Sequence, residues 1–258
     1  MFRPRVIPCL LLKNKGLVKT VKFKEPKYLG DPINIVRIFN DKEVDELIFL
    51  DITATVEQKP PPFKLLSEIA SECFMPLGYG GGINNLEDIR TILSLGVEKV
   101  SINSGAVANP SFITAAADRF GSQSIVVSID VKKNMFGKYQ VFTHGGRKKT
   151  GLDPIRFAVK MEQLGAGELL INSIDRDGTM QGYDLDLIKQ ISTAIGIPVV
   201  TCGGAGSVAD LAAAVNQGGA SAAAAGSMFV FQGPLRAVLI SYPASQDLEK
   251  AFAKGEYV

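Results

Sequence analysis

The chain predicts an α/β fold, a (β/α)8 TIM barrel made of two similar half-barrels. One domain would span residues 1–258, with halves at about 1–124 and 125–245. Three observations carry this. Eight short apolar runs alternate with amphipathic helical stretches, the pattern of a closed parallel barrel. The chain repeats itself at an offset of 122 residues. Glycine-rich or small-residue segments follow the third, fourth, seventh and eighth runs, at matching places in the two halves.

The apolar runs cover 6–12, 46–51, 74–79, 99–103, 125–130, 168–172, 197–202 and 220–225. Each is too short for a helix and is bounded by Gly, Pro or Asp, so each reads as a buried strand. Three of the helices between them start with a capping side chain and then a proline whose φ already suits the first helical position: Asp31-Pro32, Asn109-Pro110 and Asp153-Pro154. The repeat lays Asp31-Pro32 on Asp153-Pro154, Glu46-Leu47 on Glu168-Leu169 and Pro76 on Pro198. It also lays Gly81-Gly82 on Gly203-Gly204 and Gly96 on Gly218. A doubly wound open sheet is the alternative, but it would more often carry one glycine fingerprint near its start. The stretch 245–258 shows no comparable pattern and receives no role.

Composition narrows the function. The chain is 46% apolar and 21% charged with a net charge of +2, which gives no reason to expect nucleic acid or an anionic membrane as partner. Residues 1–13 are neither a secretory signal nor a spanning helix, and no later apolar run approaches the ~20 residues a span needs. Three cysteines with no CxxC pair argue against structural disulfides and zinc and fit a cytoplasmic location. Cys9 and Cys202 read as inert buried thiols. His144 is the one histidine and has no partner ligand in sequence, so no metal site is expected.

The chemistry of such a barrel gathers on the loops at the C-terminal ends of its strands. There lie Gly80-Gly81-Gly82, Asn103-Ser104-Gly105, Gly203-Gly204-Ala205-Gly206 and Gly226-Ser227. Glycine lets the backbone approach a phosphate, and a helix N-terminus offers free N–H groups. A duplicated pair of such loops suggests two anion sites facing each other, suited to a long ligand with a phosphate at each end. Asp51, Asp130, Asn172 and Asp177 fall where a strand meets its loop, and a carboxylate there serves as acid or base if burial raises its pKa. Loop capping for Asp51 and turn formation for Asp177 are the plain structural readings. Asp130, after Ile125-Val126-Val127-Ser128-Ile129, is harder to explain structurally. At the opposite ends of the strands, Arg5, Glu46, Lys99 and Glu168 would form a ring of surface salt bridges, each contributing little.

Over nearly its whole length the chain resembles the synthase (cyclase) subunit of imidazole glycerol phosphate synthase, the HisF family. The match runs through Ile7-Pro8-Cys9-Leu10, Gly30-Asp31-Pro32, Leu50-Asp51-Ile52-Thr53-Ala54, Lys99-Val100-Ser101-Ile102-Asn103, Ser173-Ile174-Asp175-Arg176-Asp177-Gly178-Thr179 and Gly203-Gly204-Ala205-Gly206. The resemblance implies a barrel that takes ammonia from a HisH-like glutaminase at its floor and uses it at the top on a ribulosyl aminoimidazole carboxamide nucleotide. The products would be imidazole glycerol phosphate and an aminoimidazole carboxamide ribotide. It implies Gly82, Asn103 and Ser104 at one phosphate, Asp177, Gly178, Gly204 and Ser227 at the other, Lys19 near the substrate, and Arg5, Glu46, Lys99 and Glu168 as the ammonia gate. No cofactor is implied.

One departure outweighs the matches. The family uses two aspartates, ending strands 1 and 5; Asp130 supplies the second, but Leu11 stands at the first. Asn172 stands where the family usually has threonine. Cys9-Leu10-Leu11-Leu12-Lys13, the segment 22–28 and Arg236-Ala237-Val238-Leu239-Ile240-Ser241-Tyr242-Pro243 resemble a side branch associated with bacterial surface-polysaccharide (lipopolysaccharide O-antigen) synthesis. For that branch the resemblance implies that ammonia passes to a separate amidotransferase, which turns an acetamido sugar into an acetamidino sugar. The alternatives are a true cyclase of histidine biosynthesis and a non-catalytic scaffold that activates a glutaminase. A related isomerase of the histidine pathway also needs an aspartate where Leu11 stands.

Overall fold

The computed structural model describes residues 3–253. Its barrel strands are β1 (Arg5–Lys13), β2 (Leu47–Asp51), β3 (Leu77–Gly80), β4 (Lys99–Ile102), β5 (Ile125–Lys133), β6 (Glu168–Ser173), β7 (Val199–Cys202) and β8 (Ala222–Ala225). All pair in parallel with their neighbours in chain order, and β8 returns to β1 with Arg5 opposite Ala222 and Pro8 opposite Ala225. The sheet is therefore closed and the fold is a (β/α)8 barrel. One long helix follows each strand: α1 (Pro32–Asp41), α2 (Phe63–Glu72), α3 (Leu86–Ser94), α4 (Ser111–Phe120), α5 (Pro154–Gln163), α6 (Leu185–Ala194), α7 (Val208–Asn216) and α8 (Ser245–Ala253). None of these helices is long and apolar enough to cross a membrane.

Strand periodicity sorts the side chains into two layers. Along β1, Val6, Leu10 and Leu12 pack outward against the helices, while Ile7 and Cys9 point into the barrel. The interior layer is completed by Ile48, Val126, Leu170, Val200, Cys202, Ala222 and Ala224. The same alternation sends Leu11 and Asp130 inward at the upper ends of β1 and β5. Both strands run on beyond the barrel into antiparallel excursions. β1 pairs with Gly16–Val21, which pairs with Lys24–Gly30. β5 pairs with Tyr139–Thr143, which pairs with Lys148–Lys149. For this reason Asp130 lies three residues inside its strand rather than at the end the sequence suggested.

Three other expectations shift. The third strand begins at Leu77, because Phe74 is 84% exposed and Met75-Pro76 form the approach loop. Asp31 and Asp153 cap α1 and α5 as expected, accepting from Asn34 N at 3.1 Å and from Ile155 N and Arg156 N at 3.0 Å. Pro110, however, occupies the cap of α4 itself, and the Asn109 side chain accepts from Ser111 Oγ at 2.7 Å instead of capping the backbone. No role is expected from sequence for the stretch from Ser245, yet Ser245–Ala253 is the eighth barrel helix. It buries Leu248 and Phe252, packs on α7, and accepts from Asn216 Nδ2 at the Phe252 carbonyl, 3.2 Å away. Residues 254–258 lie outside the described residues.

Helix α7 begins with a reciprocal cap. Asp210 N donates to Ser207 Oγ at 3.3 Å, and Asp210 Oδ2 accepts from Ser207 N at 2.9 Å. Ser207→Ala removes the first of these bonds and is expected to cost about 1 kcal/mol, read as a lowered urea midpoint with an unchanged slope.

Candidate functional site

One pocket opens at the C-terminal ends of the strands. It is lined by Leu11, Lys19, Asp51, Gly82, Asn103, Ser104, Asp130, Asn172, Asp177, Gly178, Gly204 and Ser227. Every candidate residue the sequence placed at the upper end of the barrel thus reaches one cavity.

Two of the glycines owe their identity to backbone crowding. Gly82 (φ +70°) and Gly204 (φ +127°) sit in the left-handed half of conformational space, where a side chain is strained. A Cβ on Gly82 would lie 2.7 Å from the Lys59 carbonyl, and one on Gly204 would lie 2.2 Å from the Gly182 carbonyl. Past these loops the short helices Ser104–Ala108 and Ser227–Val230 open onto the pocket with no side-chain cap on their N-termini. Ser227 is 3% exposed and its Oγ has no hydrogen-bond partner; the same holds for Asn172 Oδ1, on a side chain 6% exposed. A buried polar oxygen without a partner costs on the order of 1–3 kcal/mol, so both atoms point to a ligand that satisfies them.

Lys19 and Asp177 form a buried ion pair, Nζ to Oδ1 at 2.6 Å. Thr20 Oγ1 donates to the other carboxylate oxygen at 2.9 Å. The Lys22 N–H donates to the Asp177 carbonyl at 2.9 Å, and the Thr20 carbonyl lies against Gly178. These contacts fasten the excursion after β1 to the loop after β6. Asn103 and Ser104 do similar work on the other side. Asn103 Nδ2 donates to the Ser128 carbonyl at 3.0 Å, and Ser104 Oγ accepts from the His144 N–H at 3.1 Å. Asp51 is occupied by its own loop, accepting from Thr53 N, Thr53 Oγ1 and Ala54 N at 2.8–3.0 Å.

Asp130 differs from these carboxylates: no bond to its side chain is found among the described residues. Burial, with a smaller contribution from the Asp177 charge, raises its pKa to about 7. It sits beside Asn172 in the β5–β6 register. Across the pocket the corresponding inward position on β1 holds Leu11, which pairs with Leu50 and Val18 and makes that wall apolar. The sign of the linkage follows. An acid whose pKa is raised on folding contributes stability below its unfolded pKa, and loses it as pH rises through about 7. Asp130→Asn is therefore expected to raise the urea midpoint at pH 8 and to leave it nearly unchanged at pH 4. A gain of equal size at both would contradict this.

The sequence missed Phe23, Thr55, Ser128 and Arg147, which also line the pocket. Phe23 and Arg147 come from the tips of the two excursions, and neither lies in a strand or glycine signal that would have marked it. Cys9 and Cys202 line the pocket as well and are buried. Contact with Cys9, then burial, holds the Cys202 thiol well above its ordinary pKa and so protonated.

The other end of the barrel holds Arg5, Glu46, Lys99 and Glu168 in a closed ring. Arg5 Nη1 and Nη2 bond Glu46 and Glu168, and Lys99 Nζ reaches the same two carboxylates at 3.2 and 2.8 Å. The sequence suggested a surface ring, with Glu46 inside its strand. In fact Glu46 is 2% and Glu168 5% exposed, and Glu46 lies one residue before β2. Burial opposes the charge on Arg5, but Glu168 and Glu46 outweigh it, so its pKa is raised. Among the described residues the ring and the pocket therefore occupy opposite ends of one barrel, with the interior layer between them.

Comparison with known proteins agrees with this geometry. The model of the family described as histidine biosynthesis protein matches residues 5–235. A protein of Pseudomonas aeruginosa, provisionally named imidazole glycerol phosphate synthase subunit hisF2, is 55% identical over 249 residues, covering 96% of this chain and 99% of that one. A Vibrio vulnificus protein, provisionally named as subunit hisF3, is 53% identical over 252 residues, 97% of each. The imidazole glycerol phosphate synthase subunit HisF of Alkaliphilus metalliredigens is 49% identical over 229 residues, 89% of this chain and 91% of that one. A closed barrel with these loops, matched along this length, belongs to the histidine biosynthesis protein family, among its HisF-like members.

Proposed function

We propose that this HisF-like barrel takes ammonia from a HisH-like glutaminase at its floor and supports the ammonia-dependent amidation of a sugar in surface-polysaccharide synthesis, an acetamidino group being made by a separate amidotransferase. The observation that carries this reading is Leu11. It faces Asp130 across the pocket, and an isobutyl group neither donates nor accepts a proton. General acid–base catalysis by a positioned side chain typically contributes about 10²–10⁴-fold, so a cyclase lacking half its pair is badly impaired.

The rest of the machinery is kept. In this reading Gly82, Asn103 and Ser104 hold one phosphate of a phosphorylated ligand, and Gly178, Gly204 and Ser227 the other. The unpartnered Ser227 Oγ donates its hydroxyl proton to an oxygen of that phosphate, and Asn172 Oδ1 accepts from an N–H or O–H group of the same ligand. Asp177 fixes Lys19 at the edge of that site. Arg5, Glu46, Lys99 and Glu168 serve as the gate through which ammonia enters. A chain selected only as a scaffold has no need of an intact anion cradle.

The test uses the native chain with saturating ammonium and the ribulosyl aminoimidazole carboxamide nucleotide. The expected result is binding of the nucleotide without formation of imidazole glycerol phosphate. Glutamine-dependent amidation of an acetamido sugar by the separate enzyme should then depend on the barrel. Rapid cyclisation by the native chain would instead assign it to histidine biosynthesis, and absence of nucleotide binding would leave only a scaffold.

A further inference from the structure

The surface around the pocket mouth differs in charge from the rest of the molecule. Segments 13–30 and 131–152, the excursions after β1 and β5, contain twelve Lys and Arg against one acidic residue, Glu25. The whole chain has 28 basic and 26 acidic residues, so everything outside these two segments is net acidic. Lys19 is engaged inside by Asp177, and Lys133 faces Asp184 at 3.6 Å. Lys15, Lys22, Lys24, Lys138, Lys148 and Lys149 are exposed, and no carboxylate pairs with them among the described residues.

Apolar side chains gather on the same rim. Ten large apolar residues are exposed among the described residues, and eight of them belong to the excursions after β1 and β5 and to a third excursion after β8, residues 231–239, in which Phe231–Gln232 pairs with Ala237–Val238. The most prominent are Tyr28 (66% exposed), Met135 (93%), Phe136 (82%) and Leu235 (92%). The rim is also braced. Phe23 packs on Gly146, Arg236 Nη2 donates to the Gly178 carbonyl at 2.9 Å, and Lys27 Nζ donates to the Arg236 carbonyl at 3.2 Å. These contacts tie the excursions after β1, β5 and β8 into one preorganised surface.

Exposed aromatic and Met tips ringed by unpaired charges of one sign are the composition of a protein-binding surface with an acidic counterpart. An anionic membrane is the weaker fit. The rim consists of hairpins with no amphipathic helix to lie in the interface, and a bilayer would seal the pocket's opening.

We propose that this rim docks the acidic face of a second protein, the enzyme that uses ammonia leaving the mouth. Only the partner's activity rests on the function proposed above. Ammonia released into water near neutral pH becomes ammonium and loses its nucleophilic lone pair. A partner seated directly on the rim excludes that water and receives the free base.

The test places the photo-crosslinking residue benzoyl-phenylalanine at position 136 of the full chain in its native host. The same residue at position 74, on the loop before β3 at the floor end, serves as reference. The expected result is an adduct at 136 with an acidic protein. Lys24→Glu, Lys138→Glu and Lys148→Glu together should lower its yield by roughly 10-fold or more, as should raised salt, while any adduct at position 74 is unchanged. Glutamine-dependent amidation by the captured protein, purified and assayed with the barrel, should fall to the same extent. An acidic partner that shows the charge dependence but uses no ammonia upholds the docking surface and sinks the function proposed above. Amidation that requires the barrel but ignores the three reversals overturns the docking surface and leaves that function standing. Absence of a protein adduct at 136 overturns it too. So does cosedimentation with phosphatidylglycerol vesicles that Phe136→Ser abolishes, since the rim would then be a membrane contact.

Discussion

Leu11→Asp is expected to raise ammonium-dependent turnover of the ribulosyl aminoimidazole carboxamide nucleotide by about 10²–10⁴-fold over the native chain. The inward position on β1 is already aimed into the pocket, with Leu50 and Val18 as its register neighbours. Asp130 waits opposite with a pKa raised to about 7, suited to exchanging a proton near neutral pH. An aspartate at 11 is smaller than leucine but branches at the same γ-carbon, so its carboxylate oxygens would take the place of the two methyl groups at the pocket wall and add a second proton carrier. Product formation is followed as imidazole glycerol phosphate, and the pH profile should acquire a second limb. A gain in the variant alone marks a barrel whose chemistry was lost while its binding loops persisted. Equal activity in both chains would mean that Leu11 is irrelevant to the reaction and would remove the main support for the proposed function.

The second large effect is structural. Lys19→Met is expected to destabilise the fold by about 3–5 kcal/mol, because it leaves Asp177 with an uncompensated charge at a site where both side chains are almost fully buried. For a chain of this size that corresponds to a fall in Tm of roughly 6–20 °C. Thr20 Oγ1 still donates to the carboxylate, which limits the loss. Adding Asp177→Asn to Lys19→Met should recover much of it, since the amide removes the stranded charge. If Lys19→Met cost under about 1 kcal/mol, the pair would behave like a surface bridge, and the excursion after β1 would be held by other contacts.

Much of the barrel was legible because its strands are short apolar runs between strong punctuation, and because glycine loops fall at matching places in the two halves. What escaped notice had physical reasons. Ser245–Ala253 follows a hairpin and buries only Leu248 and Phe252, so its apolar stripe is too thin to announce the eighth helix. The extension of β5 past Asp130 depends on pairing with Tyr139–Thr143, a tertiary fact that local pattern does not carry. At the site, the cavity gathers every upper-end residue that the sequence singled out. The burial of Glu46 and Glu168 was not foreseeable, because charged residues at strand starts usually face water. At Asp51 the plain structural reading of the sequence, loop capping, is what the structure shows: its carboxylate accepts from Thr53 and Ala54.

The return of β8 to β1 has a consequence for how the chain comes into being. Arg5 meets Ala222, and Tyr242 OH donates to the Val6 carbonyl at 2.8 Å, so the first strand is completed only by residues more than 200 positions further along the polypeptide. During synthesis the early strands must wait with β1's free edge unpaired until residues beyond 222 have left the ribosome. Joining partners so distant in sequence is intrinsically slow. Expression of this protein should therefore be limited less by its final stability than by protection of that open edge, and co-expressed chaperones should raise soluble yield more than stabilising substitutions in α1 or α2.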